Sequence, residues 1–161
     1  MTTRVFNDII KSIINNVPII ILDKIHSMSQ NNPLYIVQLI EYFLELNIVE
    51  IVNRNTVGII DPAIFSSKLY IPKAIHNIYQ KRIEHLLKLE NGDLYLNFLF
   101  FLCIINGCMD IETAYLYFSE QNVIENLIGR HLIKLGNDGN IRFVHESFLL
   151  FIEGYLESIY T

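Results

Sequence analysis

The 161-residue sequence predicts a mainly α-helical protein carrying two short β-hairpins. Three observations carry that prediction. Apolar residues recur at helical spacing over most of the chain. Two pairs of β-rich runs flank the turn-forming tetrapeptides Asn53-Arg54-Asn55-Thr56 and Gly136-Asn137-Asp138-Gly139. The composition, 52% hydrophobic and 12% aromatic with 18% charged residues, supplies a core and excludes a disordered chain.

The elements follow in order. Val5, Ile9, Ile10, Ile13 and Ile14 fall at helical spacing, and Asn15-Asn16 ends that run. Pro18 opens a segment reaching about Met28; because Ile19 to Leu22 are consecutive apolar residues, a short buried strand competes with a helix there. From Pro33 the pattern is cleaner. Ile36, Leu39, Ile40, Phe43 and Leu46 form one stripe opposed by Gln38, Glu41 and Glu45, with Asn32 as N-cap and Pro33 at the first helical position. Ile48–Val52 and Val57–Ile60 make the first hairpin, and Asp61 to Lys68 is the most loop-like stretch, which places a domain boundary there.

Pro72 starts the next helix, whose apolar face is Ile75, Ile78, Tyr79, Ile83, Leu86 and Leu87; Asn91-Gly92-Asp93 breaks it. Three helical segments follow: Leu94 to Ile105, Ile111 to Phe118 capped by Asp110, and Glu120 to Arg130 capped by Ser119. Leu132–Leu135 and Ile141–Val144 form the second hairpin, and a helix through Phe148, Phe151, Ile152 and Tyr155 finishes the chain. Three helices, a two-stranded wing and a trailing helix amount to a winged-helix arrangement.

Several function classes are disfavoured by the same residues. A net charge of −5 argues against a dominant nucleic-acid footprint. In the winged helix the segment placed to read DNA, Glu120 to Arg130, carries two glutamates and one arginine, and its wing carries an aspartate where phosphate contacts need Lys or Arg. Cys103 and Cys108 cannot build a disulfide framework or a zinc site by themselves. His76 and His85 share a helix but lie out of register for a metal pair. The apolar run Leu94–Ile105 is far short of a bilayer span of ~20 residues, and Met1 to Asn16 does not read as a signal peptide. A cytoplasmic protein with no membrane association is expected. There is no Gly-x-x-x-x-Gly-Lys-Ser/Thr loop and no strand ending in paired acids, so no ATP hydrolysis is expected of this chain and no cofactor of its own.

Four joints of the chain resemble a known family. Asn31-Asn32-Pro33-Leu34-Tyr35, the hairpin 48–60, the segment Ile71-Pro72 through Lys81-Arg82-Ile83-Glu84-His85-Leu86, and Phe143-Val144-His145-Glu146 follow one another as in the lid and winged-helix region of STAND-type AAA+ signal-transduction ATPases. These include Orc1-like ATPase regions attached to soluble adenylyl cyclases and to large transcription regulators. The resemblance covers about residues 17 to 156. It departs from the family pattern at Asn31, where the family has glycine, and at Glu146, where immune receptors have aspartate.

The resemblance implies a helical lid with hairpin over 1–62 and a linker helix with winged-helix subdomain over 63–161. It implies that Pro33, with Asn32 and Leu34 in the same motif, packs near an adenine, and that His145 reaches the β-phosphate of ADP. ATP or ADP would belong to the parent protein, with a nucleotide-binding domain in cis or in trans as the main partner. The expected function is regulatory: coupling nucleotide state to signalling by domain closure, in a chain read as a fragment. A winged-helix adaptor for protein partners, or a weak DNA-binding module, is the alternative.

Overall fold

The computed structural model describes residues 8, 11–12, 14–15, 19–30, 32–53, 56–60, 71–119 and 122–160. The chain forms two compact units, Met1–Arg82 and Ile83–Thr161. The loop expected at Asp61 to Lys68 lies outside the described residues, as do Pro18, Asn31, Arg54, Asn55 and Glu120. The fold is mainly helical, with two small sheets.

In the first unit, strand β1 (Ile14–Asn15) precedes helices α1 (Ile19–Ser29) and α2 (Pro33–Glu45), strands β2 (Val49–Asn53) and β3 (Thr56–Ile59), and the opening of helix α3 (Ile75–Leu87). The sheet order is β1-β3-β2: β2 and β3 are the expected antiparallel hairpin, and β1 adds in parallel with Ile14 opposite Val57. Ile14 and Asn15 therefore do not end a helix. Pairing with the second edge of β3 overrides the helical spacing, as β-branched residues readily allow. The Ile19–Leu22 run is helical rather than a strand. Ile21, Leu22 and Ile25 enter the core while Ile19 stays 71% exposed, so the consecutive apolar residues are spread around the helix.

The core of this unit gathers Leu22, Ile25, Tyr35, Leu39, Phe43, Val49 and Ile78. A charged side chain is buried in this unit as well. Arg82 on α3 is 1% exposed and donates from Nη1 to Gln38 Oε1 (2.6 Å), and from Nη2 and Nε to Glu45 Oε1 (2.7 and 3.1 Å), tying α3 to α2. The expected start of α3 at Pro72 is corrected by three residues. Ile71 and Pro72 are buried in non-helical conformation, the Pro72 carbonyl accepts the Tyr35 hydroxyl, and the first helical hydrogen bonds run to Ala74.

The second unit contains α4 (Gly92–Ile104), β4 (Cys108–Asp110), α5 (Ile111–Tyr117), α6 (Val123–Gly129), β5 (Ile133–Leu135), β6 (Asn140–Phe143) and α7 (Glu146–Tyr160). Its sheet order, β4-β6-β5, is that of a winged helix: helix, strand, two helices, then the hairpin whose last strand lies centrally. β4 is the strand the sequence reading lacked, since only Met109 of its three residues turns inward, opposite Ile141. α6 starts later than expected, at Val123 behind Asn122, and Ser119 is not its cap. Asp110 does cap α5, accepting from the Thr113 N–H at 2.9 Å. Gly92 is required by close approach: a Cβ there would stand 2.6 Å from the Leu86 carbonyl oxygen.

Three helices hand over to strands in one way. After α2, α4 and α6 a residue other than glycine takes a left-handed conformation, at Asn47, Asn106 and His131. The next N–H then reaches back five residues, from Ile48 to Phe43, Gly107 to Leu102 and Leu132 to Leu127. This satisfies carbonyls that would otherwise be orphaned at each helix end and turns the chain directly into a strand.

The second unit should lose stability in acid. Asp110 is held below the ordinary carboxylate range, chiefly by its hydrogen bond from the Thr113 side chain, and Asp138 is held well below it, chiefly by Arg142. Lowered folded values mean stability that is present above the unfolded value, ~3.9, and lost as pH falls through the folded values. A circular-dichroism melt at pH 3 should show a lower midpoint than at pH 6. In Asp138→Asn the difference between the two pH values should shrink.

Candidate functional site

The sequence-predicted residues fall in both units. Asn32, Pro33 and Leu34 belong to the first. Asn32 Oδ1 accepts from the Leu34 N–H at 3.0 Å and so caps α2; Asn32 and Pro33 are exposed and Leu34 is half-buried. The cap is the local reason the segment has this shape: the side chain satisfies a free donor of the first turn, and Pro33 has no N–H to satisfy. What the segment presents to solvent is the proline ring face.

His145 belongs to the second unit and is the hinge between β6 and α7. Its carbonyl accepts from the Phe148 and Leu149 N–H groups (3.1 and 3.3 Å), which makes it the N-cap of α7. Its Nδ1 accepts from the Ser147 N–H at 3.0 Å, with Ser147 Oγ 2.9 Å away. A backbone N–H can only donate, so Nδ1 is unprotonated and the neutral ring carries its proton on Nε2. The ring is exposed, and no hydrogen bond of Nε2 occurs among the described residues. Capping thus fixes the tautomer and leaves one N–H donor at the helix N-terminus.

His145 borders an open cavity of about 350 Å³. Lys134, Arg142, Phe143, His145, Glu146 and Leu149 line it, together with Gly107 and Val144. The hairpin register explains the two cations. Lys134 on β5 and Arg142 on β6 are directly opposite, on the sheet face away from buried Ile133, Ile141 and Phe143. Arg142 also forms a two-bond ion pair with Asp138 of the turn (2.5 and 3.0 Å), which holds its guanidinium firmly charged. Gly107, at φ +76°, also lines the cavity, and a Cβ there would meet Leu149 and Phe143 at 3.3 and 3.4 Å.

The pairing of Lys134 and Arg142 at this cavity is absent from the sequence reading, although its signal is in the sequence. Ile133-Lys134-Leu135 and Ile141-Arg142-Phe143 alternate in and out on either side of one turn, which puts the two basic residues side by side. Elsewhere, α6 exposes Glu125 and Asn126, and Glu125 accepts from the Tyr115 hydroxyl at 2.7 Å. Among the described residues no group of three or more His, Cys, Asp or Glu side chains is placed to hold a metal, and no helix is long and apolar enough to cross a membrane. No protein family, curated protein or solved structure matches this chain.

Proposed function

We propose that this chain is the lid and winged-helix part of a STAND-type AAA+ signalling ATPase, coupling nucleotide state to signalling by domain closure and without ATPase activity of its own. The observation that carries the reading is the β6–α7 joint: a capping histidine whose Nδ1 is occupied and which lines an open cavity together with Lys134 and Arg142. An imidazole N–H at a helix N-terminus beside two cations suits a phosphate oxygen. The winged-helix strand order supports the same reading, as does the capped proline segment 32–34, whose ring is free to pack on a base. The partner is a nucleotide-binding domain in cis or in trans that supplies the phosphate loop, and ATP or ADP is that domain's ligand. DNA is not an expected partner, because α6 presents Glu125 where a duplex would lie.

The test separates the cap from the donor. His145→Ala removes both, whereas His145→Asn keeps a good capping acceptor and removes only the imidazole Nε2–H. Calorimetric titration with ADP should show binding to the native chain and at least about ten-fold weaker binding to His145→Asn, the loss of ~1.5 kcal/mol at the low end for one hydrogen bond to a charged group. Equal ADP affinity in the native and Asn variants would reduce His145 to a helix cap and remove the main support for the reading.

A further inference from the structure

Lys134 and Arg142 form a like-charge pair on neighbouring strands of a protein that is acidic overall, and such pairs destabilise a sheet unless something compensates them. Asp138 compensates Arg142. Lys134 has no hydrogen bond or ion pair among the described residues. Both cations and His145 line the same cavity, and Gly107, which carries no side chain, lines it too. One acidic group lines it as well, Glu146 in the first turn of α7, and it opposes any anion there.

We infer that the β5–β6 hairpin is itself an anion-reading element: Lys134 and Arg142 with His145 take the oxygens of a diphosphate group, and Lys134 sets the preference for two phosphates over one. This rests on the functional reading above only for the source of the diphosphate, the tail of a nucleotide rather than free pyrophosphate. Lys134 contributes a point charge that needs a counter-ion, Arg142 a planar fork partly used by Asp138, and His145 a single directed donor. A monophosphate occupies the His145 position and leaves Lys134 unanswered; a second phosphoryl group reaches it. Glu146, with Asp138 paired to Arg142, offsets the two cations and makes binding depend on the ligand's charge.

The test is calorimetry on the full chain at low ionic strength with phosphate, pyrophosphate and ADP as probes. Pyrophosphate is expected to bind more tightly than phosphate and to weaken with added salt. Lys134→Gln should weaken pyrophosphate about three- to ten-fold while leaving phosphate nearly unchanged. Glu146→Gln, an exposed change, should tighten it. Absence of pyrophosphate binding, or pyrophosphate affinity indifferent to both substitutions, overturns the inference. ADP binding no tighter than pyrophosphate upholds the anion site while removing the nucleotide reading. Tight ADP binding insensitive to Lys134→Gln does the reverse.

Discussion

Replacing Arg82 by methionine should destabilise the first unit by about 3–5 kcal/mol, the usual cost of breaking a buried ion pair from one side. Methionine keeps most of the aliphatic stem's packing, so the loss is electrostatic. Gln38 Oε1 and Glu45 Oε1 would both lose the guanidinium that now satisfies them, and Glu45, 7% exposed at its side chain, would keep a charge in a place water reaches poorly. The double variant Arg82→Met/Glu45→Leu removes the stranded charge and should recover much of the loss. Urea unfolding followed by circular dichroism measures both. A cost below about 1 kcal/mol for the single variant would match an exposed surface pair and would contradict the buried network described here.

Phe148→Ala should have an effect of similar size, about 3–5 kcal/mol, because the ring is fully buried and its removal leaves a cavity. The ring stands edge-on to Phe143 of β6 (centroids 5.6 Å apart) and stacks on Phe151 (6.3 Å). It therefore fastens the first turn of α7 to the strand that delivers His145. Amide hydrogen exchange of Ser147 and Leu149 should accelerate in Phe148→Ala. Diphosphate and ADP binding should fall with it, although residue 148 lines no part of the cavity.

Much of this arrangement was legible in the sequence because the signals are local. Asn32-Pro33 announces the start of α2 through its cap, Asp110 does the same for α5, and the second hairpin follows from alternation around Gly136 to Gly139. What was not legible depends on partners distant in the chain. Ile14-Asn15 and Cys108-Met109-Asp110 are too short to show a period of two, and each is a strand only because β3 or β6 lies beside it. Pro72 looks like a helix start, but its carbonyl is taken by Tyr35, thirty-seven positions earlier.

Arg82 enters the sequence reading only as part of the family-like segment 71–86, although its core position was legible. It continues the stripe Ile75, Ile78, Tyr79, Ile83 and Leu86, and a cation at a core position implies buried acceptors on the facing helix, which Gln38 and Glu45 provide. The pairing of Lys134 and Arg142 was legible too. His145 is singled out in the sequence by its motif alone, and only the structure shows that capping by Nδ1 commits its tautomer.

The most direct test of the central claim is a ¹H–¹⁵N correlation spectrum of the chain titrated with ADP, with the Leu34 and Ser147 amides as reporters. Each N–H is bonded to the side chain of a proposed nucleotide-sensing residue, Asn32 in one unit and His145 in the other. A lid and winged-helix module predicts that both amides shift with one saturation curve, along with Lys134 and Arg142. Spectra in which neither Leu34 nor Ser147 moves at saturating ADP would contradict it.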